Sequence, residues 1–222
     1  MTTYYKVLSE HNLGNYSGAV WFLPEGKRPG KWMPKIKGEL VICVKGYHLC
    51  REQDLLRWLG PNIYEIESKS AILEIAGHND KVLTAGPVRL VRRLTTWNER
   101  TQRLFAADCA EHVLHIFQGQ YPNDDRPLKA IKAARQFVQG EIAFEEMAAA
   151  RAAAWAAAWE AAGAATGAAV WAAVWAATGA ATGAATRDAV WAAAGAAAGA
   201  AAGAEHEWQA ARLMEYLHGE VG

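Results

Sequence analysis

Charge is absent from one long stretch of this chain. Between Ala161 and Thr186 there is no Asp, Glu, Lys or Arg, and no Leu, Ile or Phe; two Val, four Gly, four Thr and a Trp pair interrupt the Ala. The stretch is long enough to span a bilayer and holds GxxxG spacings. A spanning helix, however, would be rich in Leu, Ile or Phe and would place its Trp residues at the two interfaces, whereas Trp171 and Trp175 sit in the middle. No membrane association is therefore expected. Spaced Thr on an alanine-rich helix also raises an ice-binding surface, but the Thr spacing is irregular and the Trp row would break a flat face. Cysteine is scarce as well. Three residues, an odd number, cannot all pair, and Met1 to Asn12 has no apolar run behind a basic start, so reduced thiols in a cytosolic protein are expected. Net charge is also missing, with 23 Lys+Arg against 23 Asp+Glu, which argues against a uniformly nucleic-acid-binding surface.

What fills the uncharged stretch is a repeat. From Ala148 to Ala204 Ala is the commonest residue by far, and Arg151, Trp155, Trp159, Gly163, Gly167, Trp171, Trp175, Gly179, Gly183, Arg187, Trp191, Gly195, Gly199 and Gly203 fall at every fourth position. Trp-Trp-Gly-Gly recurs every sixteen residues, so Arg151–Thr166, Gly167–Thr182 and Gly183–Ala198 align. Alanine favours helix above any other regular structure. A period of four drifts about 40° per step against a ~3.6-residue turn. One straight helix would spiral its Trp right around itself over roughly 80 Å, with no charged heptad edges to make a coiled coil. Helices of about sixteen residues, packed as a bundle, turn the same row into a usable stripe. In that arrangement the glycines are close contacts or helix ends.

The neutral total hides an asymmetry. Through Phe105 there are 16 Lys+Arg and 10 Asp+Glu, a balance of +6; from Ala106 onward there are 7 and 13, a balance of −6. Such a division suits charge-steered docking between halves or onto partners. The chain is long enough for two small domains, and its pattern changes near Thr95. Before it, Tyr4–Leu8, Glu39–Val44, Ile63–Glu67, Ala71–Ala76 and Val88–Val91 alternate as strands, and Arg51–Leu59 is a short helix stopped by Gly60-Pro61. After it, Thr96–Glu99 has capping-box spacing and opens a helix to about Phe117, with Leu104, Phe105, Cys109, Val113, Ile116 and Phe117 inward and Asp108 and Glu111 outward. Pro127 to Gly140 is the next helix, Glu141 leads into the repeat, and Glu205–His218 is a last amphipathic helix. The expected fold class is α+β: a small mixed domain over residues 1–94, then an all-α, Ala/Gly-rich bundle over 95–222.

Four short motifs follow one another in the second half. They are Asp108-Cys109-Ala110-Glu111, then Pro122-Asn123-Asp124-Asp125-Arg126-Pro127, then Ala130-Ile131 through Ala134-Arg135, then Gly140-Glu141-Ile142. In that order they resemble the helical immunity-protein domains of bacterial toxin systems, over about Thr96 to Ala204. The first half, with Cys43 and Gly46-Tyr47-His48-Leu49-Cys50, is similar to a small α+β domain of phage and bacterial proteins. Together the two resemblances imply a phage- or mobile-element-borne protein that neutralises another protein by binding it. The implied partner is a toxin or a host defence component.

Three sets of residues carry possible chemistry. Cys109, His112 and His115 lie at i, i+3 and i+6 of one helix, and with Cys43, His48 and Cys50 they raise a metal site, but the spacing matches no zinc pattern and free Cys on a buried stripe behaves as a small hydrophobe. No metal and no cofactor is assigned. Glu65 and Glu67, two apart on a strand and preceded by Gly46-Tyr47-His48, resemble the Glu-x-Glu of ADP-ribosyltransferases, in which the second Glu orients the nicotinamide ribose of NAD. That enzyme, with Glu65, Glu67 and His48 as its residues, is the alternative function; against it, any half-exposed strand alternates this way, and no matching upstream strand bears an Arg or His. Lys27, Arg28, Lys31, Lys35 and Lys37, interleaved with Trp32 and joined by Arg89, Arg92 and Arg93, form the candidate docking surface. Their alternative is a solvated loop. The expected function is a non-catalytic binder of another protein rather than of nucleic acid or a small molecule.

Overall fold

The computed structural model describes residues 2–14, 17–75, 78–163 and 200–221, and the chain in it is α+β, forming two compact units, Met1–Asn98 and Glu99–Gly222. The first unit holds β1 (Tyr4–Leu8), β2 (Tyr47–Leu49), a 3-10 turn at Glu52–Asp54 running into α1 (Leu55–Trp58), β3 (Asn62–Ser68), β4 (Ile72–Ile75), β5 (His78–Thr84) and β6 (Val88–Arg93). These make two antiparallel sheets of three strands, ordered β1-β3-β6 and β2-β5-β4. Tyr5 and Cys50 exchange backbone hydrogen bonds at 2.8 and 2.9 Å and stitch one sheet to the other. The apolar residues of β1, β3 and β6 close on a core of Leu8, Trp21, Tyr64, Val88 and Leu90.

The expectation for Glu39–Val44 is overturned. Those residues form a tight turn closed by the Val41–Lys45 bridge, with Cys43 at φ 61°, and Val44 is 81% exposed, so their apolar character covers no core. β2 and β5 went unread for the opposite reason: β2 is three residues long, and β5 opens on His78-Asn79-Asp80-Lys81, which shows no apolar alternation.

The segment after Trp21 has no strand or helix but is firmly held. Gly30, Met33 and Ile36 donate backbone N–H groups to the carbonyls of Leu90, Val88 and Ala85, each at 2.8 Å, so the loop lies along β6. At Gly30 a Cβ would fall 2.0 Å from the Phe22 carbonyl oxygen and 2.9 Å from its carbon. Backbone cannot rotate away as a side chain can, so Gly30→Ala is expected to cost about 1–3 kcal/mol through overpacking. Thermal unfolding of the variant checks this; an unchanged midpoint would mean that Gly30 is not packed against the Phe22 backbone.

In the second unit α2 (Glu99–Gln120), α3 (Arg126–Gln139), α4 (Phe144–Gly163) and α5 (Ala200–His218) follow in order. Thr96 lies in a turn three residues before Glu99, the first residue of α2. Pro127 sits in the first turn of α3, where its missing N–H costs nothing, and Gly140 ends that helix at φ 76°. α3 and α4 pack through Ala133, Ala134 and Met147, with Phe137, Ile142 and Ala150 beside them. Ala154 and Ala157 are buried further along α4. Small side chains let these helices approach closely.

The alanine repeat begins in the first turns of α4 and ends in the first turn of α5; the helix breaks expected between them, and Gly179 and Gly183, lie outside the described residues. At Gly203, the last beat, the residue is exposed and an added Cβ would meet nothing within 4 Å among the described residues. Among the described residues no helix is long and apolar enough to cross a membrane.

Candidate functional site

Asp108 organises the helical unit. It was expected to face solvent, but its side chain is 7% exposed and carries four hydrogen-bonded contacts. Its Oδ1 accepts from Arg135 Nη1 of α3 at 2.7 Å. Its Oδ2 accepts from Arg212 Nε and Nη2 of α5, both at 2.7 Å, and from the Tyr216 hydroxyl at 2.8 Å. α2 is flanked by both α3 and α5, so its inward arc is wider than one apolar stripe and takes in position 108. A carboxylate is tolerated there because two guanidiniums and a phenol satisfy it. Glu111, one turn later, accepts from Arg135 Nη2 at 2.5 Å, and Arg212 also pairs with Glu215. Burial works against the charge on Arg135 and Arg212, yet their carboxylate partners outweigh it and both hold their protons more tightly than usual. Burial and then the Asp108 charge push the Tyr216 hydroxyl well up.

The motifs that suggested a family are thereby explained physically. Asp108 and Glu111 of the first motif clasp Arg135 of the third. In the second, Arg126 donates from Nε and Nη2 to Asp124 at 2.9 and 2.6 Å, which with burial working against it still holds that carboxyl below its usual range. In the fourth, Gly140 supplies the left-handed turn and the Glu141 N–H returns to the Gln136 carbonyl at 2.9 Å.

Beside Asp108 opens a groove of about 530 Å³ lined by Asp108, Glu111, His112, Arg135, Trp208, Ala211, Arg212 and Glu215. Its aromatic wall is a stack: the rings of His112 and Trp208 are 3.8 Å apart and 1° from parallel. Glu205, buried on α5, meets His112 Nδ1 at 2.5 Å and accepts from Gln209 Nε2 at 2.8 Å, fixing the ring plane. Glu111 and Glu215, 55% and 40% exposed, stand at the rim.

The three metal-ligand candidates on α2 are not brought together. Cys109 is fully buried, with its thiol pushed well up by burial; His112 is in the stack; and His115 Nδ1 meets the His112 carbonyl at 3.0 Å. Among the described residues no group of three or more His, Cys, Asp or Glu is placed to hold a metal ion.

In the first unit Glu65 and Glu67 do share a face of β3, and each is matched by an arginine of β6. Arg89 Nε donates to Glu67 at 2.7 Å, and Arg92 donates from Nε and Nη2 to both oxygens of Glu65 at 2.7 and 2.5 Å. His48 belongs to the other sheet, and its Nε2 accepts the Cys43 N–H at 2.8 Å. Burial, followed by the charges of Lys6 and Lys81, lowers the affinity of His48 for a proton. The ADP-ribosyltransferase alternative would need an unpaired Glu67 beside a ribose; here that carboxylate is a cross-strand ion pair. Glu67→Gln is expected to shift stability by no more than about 1 kcal/mol, as for an exposed pair, and to produce no change in NAD binding. Calorimetric titration with NAD checks this, and a saturable NAD signal lost in the variant would restore the enzyme reading.

The basic loop is exposed at Lys27, Arg28, Lys31, Lys35 and Lys37. Its aromatic is committed elsewhere: Trp32 is half-buried, with Lys69 Nζ 4.3 Å and the Arg89 guanidinium 4.4 Å from its ring centroid. Arg92 is tied to Glu65, and Arg93 is exposed at the end of β6 opposite Tyr64. The loop is a set of solvated cations along a sheet edge rather than a pocket.

A family model described as Imm-5 like putative immunity protein matches residues 92–216, more than half of the chain. The chain belongs to that family. No curated protein and no solved structure matches it. The immunity-family span takes in every residue lining the groove and leaves out Lys27 to Lys37, Glu65 and Glu67. Arg212, Trp208, Glu205 and Tyr216 went unread as site residues. In the sequence α5 shows only a core stripe with Arg212 beside it, and nothing in one chain pairs an Arg on the last helix with an Asp 104 residues earlier.

Proposed function

We propose that this immunity-family protein is a non-catalytic, cytosolic inhibitor that binds a toxin protein through the groove of α2, α3 and α5. One observation carries the reading: the family span contains a groove whose buried base is fully ion-paired while its rim presents an aromatic stack and two exposed carboxylates. A paired base gives rigidity without a group poised for chemistry. The half-buried Trp208 is the type of anchor that dominates interface energetics, and Glu111 and Glu215 suit a partner face bearing Lys or Arg, whose approach they would steer. The excess of acidic residues from Ala106 onward points the same way.

The test is affinity capture from the native host with the intact chain, followed by co-expression of the captured protein with and without it. The expected result is a stoichiometric basic partner whose toxicity the chain suppresses. Suppression should survive Glu67→Gln and the change of Lys31, Lys35 and Lys37 to Glu. Loss of suppression in either variant would move the function to the first unit.

A further inference from the structure

We propose that the Met1–Asn98 unit holds a binding site of its own for a small organic anion, a carboxylate or phosphate ester carried on a flat apolar body. A cavity of about 500 Å³ is walled by Lys6 and Val7 of β1, His48 and Leu49 of β2, Trp58 of α1 and Lys81 of β5. That volume lies in the range of small-molecule clefts. It is mostly apolar, yet two ammonium groups enter it. Lys6 Nζ donates to the His48 carbonyl at 3.1 Å, and no carboxylate of the described residues lies within ion-pair distance of it. Lys81, 8% exposed, sits 4.7 Å from the Trp58 ring centroid; its one carboxylate among the described residues is Asp80 at 3.7 Å, which Arg57 also engages at 3.1 Å.

Lys81 is buried and Lys6 half-buried, with the Trp21 ring centroid 5.3 Å from the Lys6 ammonium and the Asp80 carboxylate divided between Lys81 and Arg57. Cations drawn out of water with so little counter-charge are costly, and an anion between them would supply what the protein withholds. Both lysines act electrostatically on His48 and on Cys50, which places the two ammoniums around the same pair of side chains. Burial pushes the Cys50 thiol up to about 12, so no thiolate fills the role of that anion. Val7, Leu49 and the Trp58 ring leave an apolar wall for the body of the ligand, with Trp58 Nε1 already engaged by the Asp80 carbonyl at 2.6 Å. A bare inorganic anion would leave that wall unused.

The test is calorimetric titration of the full chain with phenyl phosphate, benzoate and inorganic phosphate, repeated with Lys6→Met and Lys81→Met. At least one organic probe is expected to saturate a single site, more tightly than inorganic phosphate does, and to bind about tenfold more weakly in each variant. On the unaltered chain, the same probe should slow reductive methylation of Lys6 and Lys81, read by peptide mass spectrometry; this measurement does not depend on the variants folding. Binding of neither organic probe, equal affinity for inorganic phosphate, undiminished binding in both variants, or unchanged methylation of the two lysines would each overturn the proposal. Because none of these residues lies in the family span, failure here leaves the inhibitor reading untouched.

Discussion

Asp108→Asn is expected to destabilise the helical unit by about 3 kcal/mol, a fall of roughly 6–12 °C in the unfolding midpoint. The side chain keeps its size and one acceptor oxygen but loses the charge that two arginines and a tyrosine converge on. Breaking a buried pair costs about 3–5 kcal/mol because the partners are left desolvated without compensation. Arg135 and Arg212, 30% and 28% exposed, regain some water, so the lower end of that range applies. Glu111→Gln is the matching control. It removes one exposed arm of Arg135 and should cost no more than about 1 kcal/mol. Thermal unfolding followed by circular dichroism distinguishes the two, and equal losses would mean that Asp108 is not the hub of α2, α3 and α5.

Trp208→Ala is expected to weaken binding of the captured partner protein by about thirtyfold or more, the loss typical of a central aromatic anchor. The His112 ring loses its stacking partner in the variant, so stability should fall as well, by about 0.5–1.5 kcal/mol. Binding and stability separate the two roles: a Trp that served packing alone would lower the midpoint and leave the dissociation constant of the folded protein unchanged. Glu111→Lys reverses a rim charge and should act mostly by slowing association, with an effect that shrinks as salt is added.

The sequence announced the α+β class because its signals were local. Alternation in Tyr4–Leu8 and Ile63–Glu67 and the Pro127–Gly140 helix limits depend on neighbours along the chain. So does the motif order, which points to the immunity family from neighbouring residues alone. What escaped was set by pairing across the fold. The outward assignment of Asp108 assumed one buried stripe per helix, and it failed because α2 is covered on two sides. His78–Thr84 is a strand because β2 and β4 flank it, although its own first residues are polar. The cations of the basic loop are clustered in sequence and stay exposed, whereas the engagement of Trp32 and the β6 arginines with their own sheet is visible only in the fold. The groove has the opposite character: its residues come from three helices, and only folding assembles them.

Hydrogen exchange of the chain with and without the partner protein it captures tests the binding account most directly, since amides covered by a partner slow while uncovered ones do not. Protection is expected in the peptides of α2 and α5 that carry Glu111, His112, Trp208 and Arg212, with residues 27–37 exchanging as in the free chain. Protection confined to residues 27–37 or to the β3–β6 pair, with α2 and α5 unchanged, would contradict it.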